Sequence, residues 1–204
     1  MNARTIPLII LLMFTSGCVT IAGDKLRDLD RATPAAVPTV EQTVGDFSFH
    51  LDGGKMITSN KAGRMVNDEV LSRWKRWGYV KNPTYVKSGK FSGAADYEIT
   101  LSGKQEGESS IFLQIISGLS LVVIPYYVDT WIDASFDVRD RRSGKTYHAQ
   151  VRDSFNTVIS LLLVPISPFA QGGRSRTWDR IAENLYSQLK AQGAFSETVL
   201  AAAL

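Results

Sequence analysis

His50, His148 and Cys18 are the only imidazole and thiol groups in a chain of 204 residues. A structural zinc site needs four ligands, and a Ser-His-Asp relay needs a histidine set beside its nucleophile. Both histidines fall at polar positions of alternating segments, so neither arrangement is assembled. The residues therefore predict no metal, no cofactor and no catalytic site. Asp137 and Asp140 are close in sequence, but they occupy the polar side and the end of one alternating run, where they read as solvating carboxylates. Gln171 to Arg176, "QGGRSR", places glycines and arginines at the start of a helical pattern. Such a start can receive an anion, and the plainer reading is a loop with solvated arginines. Arg73 to Tyr79, "RWKRWGY", interleaves cations and aromatics as membrane and nucleic-acid surfaces do, yet Trp74 and Trp77 share an apolar stripe and so belong to a core. The net charge is only +3, with Lys and Arg dispersed among Asp and Glu, which leaves no electrostatic footprint for nucleic acid.

The elements that hold these residues follow from periodicity. Phe47, Phe49 and Leu51 alternate with Asp46, Ser48 and His50, the pattern of a half-buried strand. The same alternation recurs at Tyr97, Ile99 and Leu101, at Ile132, Ala134, Phe136 and Val138, and at Tyr147, Ala149 and Val151. Ser143-Gly144 marks a hairpin turn between the last two. Ala62, Val66, Val70, Trp74 and Trp77 recur at three- and four-residue spacing and predict a helix over 61–77, capped by Ser59 or Asn60 and ended by Gly78. Trp178, Ile181, Leu185 and Leu189 predict a second helix over 178–192, ended by Gly193. Half-polar strands with two amphipathic helices suit an α+β fold: two layers, a mainly antiparallel sheet and helices on one face.

The lone cysteine excludes an internal disulfide, and its surroundings suggest another use. Arg4 precedes an apolar run, Ile6 to Phe14, and Thr15-Ser16-Gly17 places small residues directly ahead of Cys18. That order is signal-peptide anatomy, and the run is too short to span a bilayer, for which about 20 residues are needed. Phe14 to Cys18, "FTSGC", resembles the lipobox of bacterial lipoproteins, with Thr15 where leucine is usual. The resemblance implies a leader over 1–17, acylation of Cys18 and a tethered domain of the Gram-negative envelope. Val19 rather than Asp after the cysteine implies the outer membrane, periplasmic face. The stretch 18–43 carries two prolines and weak periodicity and reads as a flexible tether, leaving 44–204 as the folded domain.

Two apolar segments do not alternate: Ile111 to Val128 and Thr157 to Ala170. Either both are core, or both are surfaces for a bilayer or a partner. If the hairpin at Arg142 to Lys145 is right, the strand directions send both inserts out of the same end of the sheet. The contact residues are then Ile115, Leu119, Leu121, Val123, Ile124, Leu161, Leu163 and Ile166. The expected role is a non-enzymatic envelope lipoprotein that scaffolds or assists an assembly, held to the membrane through Cys18 and touching another envelope protein or lipid. The alternative is an apolar cavity that binds or carries a lipid or other envelope component.

Overall fold

The structure is a computed structural model that describes residues 17–23, 25–34, 37–51, 56–87, 90–163 and 172–196. The fold is a mixed α+β arrangement with one open sheet of seven strands and three α-helices among these residues. In chain order they are β1 (Gly17–Ala22), β2 (Thr39–Leu51), β3 (Ile57–Thr58), α1 (Asn60–Arg76), β4 (Lys81–Tyr85), β5 (Tyr97–Ser109), α2 (Ile111–Leu119), β6 (Tyr126–Asp140), β7 (Thr146–Ser160) and α3 (Gly172–Ala191). A short 3₁₀ turn, Leu161–Leu163, follows β7.

The sheet runs β1-β7-β6-β5-β2-β3, and β4 also lies along β2. Two pairings, β2 with β5 and β2 with β4, are parallel, and the remaining four are antiparallel. The parallel β2–β5 pair at the heart of the sheet departs from a simple meander. Its cause is α1, which carries the chain back across the sheet so that β4 and β5 start from the same end as β2.

The alternating residues bury as their spacing predicts. Ile99, Leu101, Ile132, Ala134, Phe136 and Val138 are closed to solvent, as are Val70 and Trp74 of α1 and Ile181 and Leu185 of α3. Trp74 ties α1 to α3 and the sheet: its Nε1 donates to Ala182 O at 2.8 Å, and its ring meets Phe136, Tyr186 and Phe195 edge-on. Helix α1 begins where Ser59 Oγ accepts from Ala62 N. It ends in a reverse turn with Gly78 at φ +76°, whose left-handed backbone lets Tyr79 N reach Trp74 O. Helix α3 ends the same way at Gly193, with Ala194 N on Leu189 O. The aromatics that follow, Tyr79 and Phe195, both stack on Tyr186.

The reading of 18–43 as a free tether is corrected. Residues 17–22 are a full edge strand, and Gly23 N continues the ladder to Ser154 O. The next stretch runs along α3: Asn184 Nδ2 donates to Arg27 O, Lys190 Nζ to Thr33 O, and Ala32 N to Glu183. Residues 39–43 already belong to β2. The segment has little periodicity because its partners are backbone groups and polar or charged side chains, which leave no apolar stripe in the sequence.

Candidate functional site

The candidate site is the end of the sheet at which α2, the 3₁₀ turn and the start of β1 meet. The hairpin Arg141–Lys145 lies at the opposite end, where Asp140, fully buried, accepts from Arg142 N and from Ser143 N and Oγ. Strand β5 therefore delivers the chain to the site, β6 leaves it and β7 returns to it. One lateral row crosses the four strands as Ser109, Val128, Thr157 and Thr20, and two residues further out Cys18 pairs Ile159, which pairs Tyr126.

Helix α2 starts where the Ser110 hydroxyl accepts from Leu113 N, and Gln114 turns its amide back to Ser109 Oγ. After Leu119 the chain doubles back sharply. Leu121 and Val122 both take left-handed backbone angles, φ +54° and +63°, a costly conformation for a β-branched residue. What holds it is local: Val122 N donates to Ser117 O, and Ser120 Oγ donates to Ser117 O while accepting from Ile124 N. The residues after α2 are then tied to the end of β7. Leu161 N donates to Val122 O at 2.8 Å, and Ser160 Oγ donates to Val123 O at 3.1 Å.

Among the described residues almost nothing covers these segments. Leu119 is 82% exposed, Phe112 70% and Leu162 68%, and Ile111, Ile115, Leu121, Val123 and Ile124 are exposed as well. In α2 only Ser117 is buried. Of the residues singled out from the sequence, Ile115, Leu119, Leu121, Val123 and Ile124 stand on this surface. Leu161 and Leu163 are half-buried beneath Leu162, and Ile166 lies outside the described residues. Sequence reasoning missed Phe112 and Leu162. The first could have been found, since Phe112, Ile115 and Leu119 share one helical stripe; the second depends on the 3₁₀ turn, which has no sequence signature here.

Cys18 is exposed, with a free thiol, on edge strand β1. Gly173 of α3 lies so close beneath β1 that a Cβ there would fall 2.1 Å from Thr20 O, so a glycine is required for the contact. Beside Cys18 opens a cleft of about 470 Å³ whose walls include Thr20, Glu69, Arg73, Phe155 and Arg174. Arg73 is buried and committed, with Nη1 2.6 Å from Glu69 and Nε 2.7 Å from Asp179. Arg174 faces Glu69, and Arg176 binds Asp28, whose carboxyl is held below its ordinary value chiefly by that hydrogen bond. The arginines of "QGGRSR" are thus engaged by carboxylates, with Gln171 outside the described residues. The leader, 1–16, also lies outside them.

The other chemical candidates stay apart. His148 Nδ1 sits 2.8 Å from Asp137 Oδ1 on an exposed part of the sheet. His50, on β2, is on the far side of β5 and β6 from His148. Among the described residues no group of three or more His, Cys, Asp or Glu is placed to hold a metal ion, and no helix is long and apolar enough to cross a membrane. Trp74 is core, as its stripe predicted, whereas Arg73 beside it is buried rather than solvated.

No family model matches the chain, and no curated protein matches it. Among solved structures, it is similar to a Xanthomonas campestris protein of the DUF330 family, at 9% identity and a TM-score of 0.39, covering 80% of this chain and 91% of that one. It is similar to a Helicobacter pylori homologue of neuraminyllactose-binding hemagglutinin at 7% identity and a TM-score of 0.43, covering 86% and 96%. It is also similar to the PelC dodecamer from Paraburkholderia phytofirmans, at 12% identity and a TM-score of 0.36, covering 83% and 96%. All three are bacterial proteins.

Proposed function

We propose that the chain is a non-enzymatic lipoprotein of the bacterial envelope, anchored through acylated Cys18 at the periplasmic face of the outer membrane, whose two-layer domain scaffolds an envelope assembly. The observation that carries this reading is the placement of the thiol. Cys18 follows a charged, apolar, small-residue leader in sequence, and it stands exposed at the same end of the sheet as the uncovered apolar residues of α2 and the 3₁₀ turn. Two or three acyl chains hold a protein to a bilayer where one does not, because each buried methylene contributes about 0.8 kcal/mol. The apolar inserts are the contact surface of this scaffold, and the polar strands and charged helix faces keep the rest of the domain in water. An apolar cavity for a carried lipid is less well supported, since the space between α1, α3 and the sheet is filled by Trp74, Tyr186 and Phe195 and the cleft beside Cys18 is bordered by Glu69, Arg73 and Arg174. Cells grown with a fatty-acid analogue test the anchor. Wild-type chain takes up label and shortens to begin at Cys18, while Cys18→Ala remains unlabelled and full length; label on the Cys18→Ala chain contradicts the proposal.

A further inference from the structure

We infer that this end of the sheet lies flush on the lipid bilayer itself, with α2, Leu121 and Leu162 immersed in the boundary between headgroups and acyl chains. The inference deepens the anchored reading and rests on it only for the chemistry of Cys18. Three observations carry it. First, the chain has no slack at its anchor point. Cys18 is itself paired with Ile159, and the apolar run Ile6 to Phe14 ends four positions before it. Acyl chains on Cys18 leave from the row that carries Ile159 and Tyr126, and a retained run is separated from that row by four residues at most.

Second, the segments that bear the exposed apolar residues carry no charge, although Glu69, Arg73 and Arg174 border the cleft beside Cys18. No Asp, Glu, Lys or Arg stands between Glu108 and Asp129, between Asp153 and Arg174, or from Cys18 to Gly23. The exposed apolar side chains are therefore continuous with the emerging anchor, and Glu108 paired with Asp129 marks where charge resumes. Third, Ser110, Gln114 and Ser120 satisfy polar groups of the protruding hairpin from within, which lowers the cost of leaving water, while the buried Ser117 Oγ of α2 is without a partner among the described residues. Nine residues of helix extend about 13 Å, too short to cross about 30 Å of hydrocarbon and suited to lie in the interface. Three residues along β6 from Val128, about 10 Å further from the tip, Trp131 lies under the cations of Lys25 and Arg152. An indole with two cations at that height suits the level of lipid phosphates.

The test uses the full chain in vesicles of phosphatidylethanolamine and phosphatidylglycerol, with a thiol-reactive, environment-sensitive fluorophore on Phe112→Cys, Leu121→Cys or, at the opposite end, Ser143→Cys. Each is made in the wild-type background, where Cys18 is blocked by its lipid, and in a Cys18→Ser background. The first two positions are exposed, so the far-ultraviolet spectrum stays that of the parent. Labels at 112 and 121 are expected to shift to the blue, to be quenched by brominated lipid and to lose quenching by aqueous iodide, while the label at 143 remains open to iodide. A lipidated, vesicle-bound chain whose label at 112 is as open to iodide as that at 143 overturns the inference and leaves the anchor standing. Immersed labels on a chain whose Cys18 carries no lipid by mass spectrometry support the inference and overturn the anchor. Shielding that arises only when solubilised envelope proteins are added to the vesicles assigns the surface to a protein partner and overturns the inference.

Discussion

Helix α1 and helix α2 treat apolar side chains in opposite ways. Helix α1 carries Lys, Arg, Asp and Glu on most of its turns, yet Trp74 and Val70 are completely buried. Helix α2 has no charged residue, yet Phe112 and Leu119 are among the most exposed apolar side chains described. Burial follows from what a helix faces rather than from how apolar it is. The stripe of α1 has the apolar strand residues of the sheet and α3 beneath it, so it is covered. Helix α2 lies beyond the end of the strands, where among the described residues the sheet offers little to pack against.

The sharpest way to break this contrast is to place a charge in each helix. Val70→Asp buries an unpaired carboxylate and is expected to cost about 4 kcal/mol or more, enough to unfold the domain. Phe112→Asp is expected to leave the thermal unfolding midpoint unchanged while weakening association with lipid vesicles. Equal loss of stability in the two variants, measured by thermal melts, erases the distinction.

A smaller effect probes the covered side through pH. Burial, with help from the nearby Glu183 and Tyr97, pushes the Tyr186 phenol up from 10.0 to about 12, and burial first and Asp140 second do the same to Tyr97. A group whose folded pKa is raised contributes its stability fully below pH 10 and loses it as the pH climbs from 10 towards 12. Alkaline denaturation is therefore expected across that window. Tyr186→Phe, which removes a buried hydroxyl without a hydrogen-bond partner among the described residues, should change neutral stability little and flatten the alkaline fall. Melts between neutral pH and pH 12 read both.

The smallest expected difference lies between two glycines. A Cβ at Gly63 of α1 would fall 2.6 Å from Val44 Cγ1 and 2.8 Å from Phe47 Cβ, so Gly63→Ala overpacks the core at a cost of about 1–3 kcal/mol. A Cβ at Gly118 of α2 meets nothing within 4 Å, so Gly118→Ala is expected to stabilise α2 by about 0.5–1 kcal/mol, read as slower amide exchange over 111–119. Exchange in α2 that is unchanged by Gly118→Ala would mean that the helix already has a cover.

Much of the covered side was legible from spacing. The helix expected over 61–77 is found at 60–76, and the strands through Tyr97, Ile132 and Tyr147 bury the residues that alternation selects. The second helix starts six residues earlier than the first apolar residue of its stripe; in that extra turn and a half Gly173 lies against β1, where a glycine allows close approach without contributing to a stripe. At the site, the hairpin expected at 142–145 is found at 141–145, and the hydrogen bond from Leu161 N to Val122 O joins the residues after α2 to the end of β7, whereas 126–128 and 157–160, expected outside the strands, belong to β6 and β7. Less legible was β1, whose six residues were divided between a leader and a tether.

By itself, then, the sequence determined what is local: the cap at Ser59, the helix ends at Gly78 and Gly193, the alternating strands, and the absence of charge from Ser109 to Val128. Each depends on interactions spanning a few residues, so each leaves a pattern of that period. Only the tertiary structure decided the parallel pairing of β2 with β5, the capture of residues 17–22 by β7, and the exposure of α2. Backbone ladders recognise amides rather than side chains, so strands distant in the chain pair with no residue code, and whether an apolar helix is covered depends on where the sheet ends.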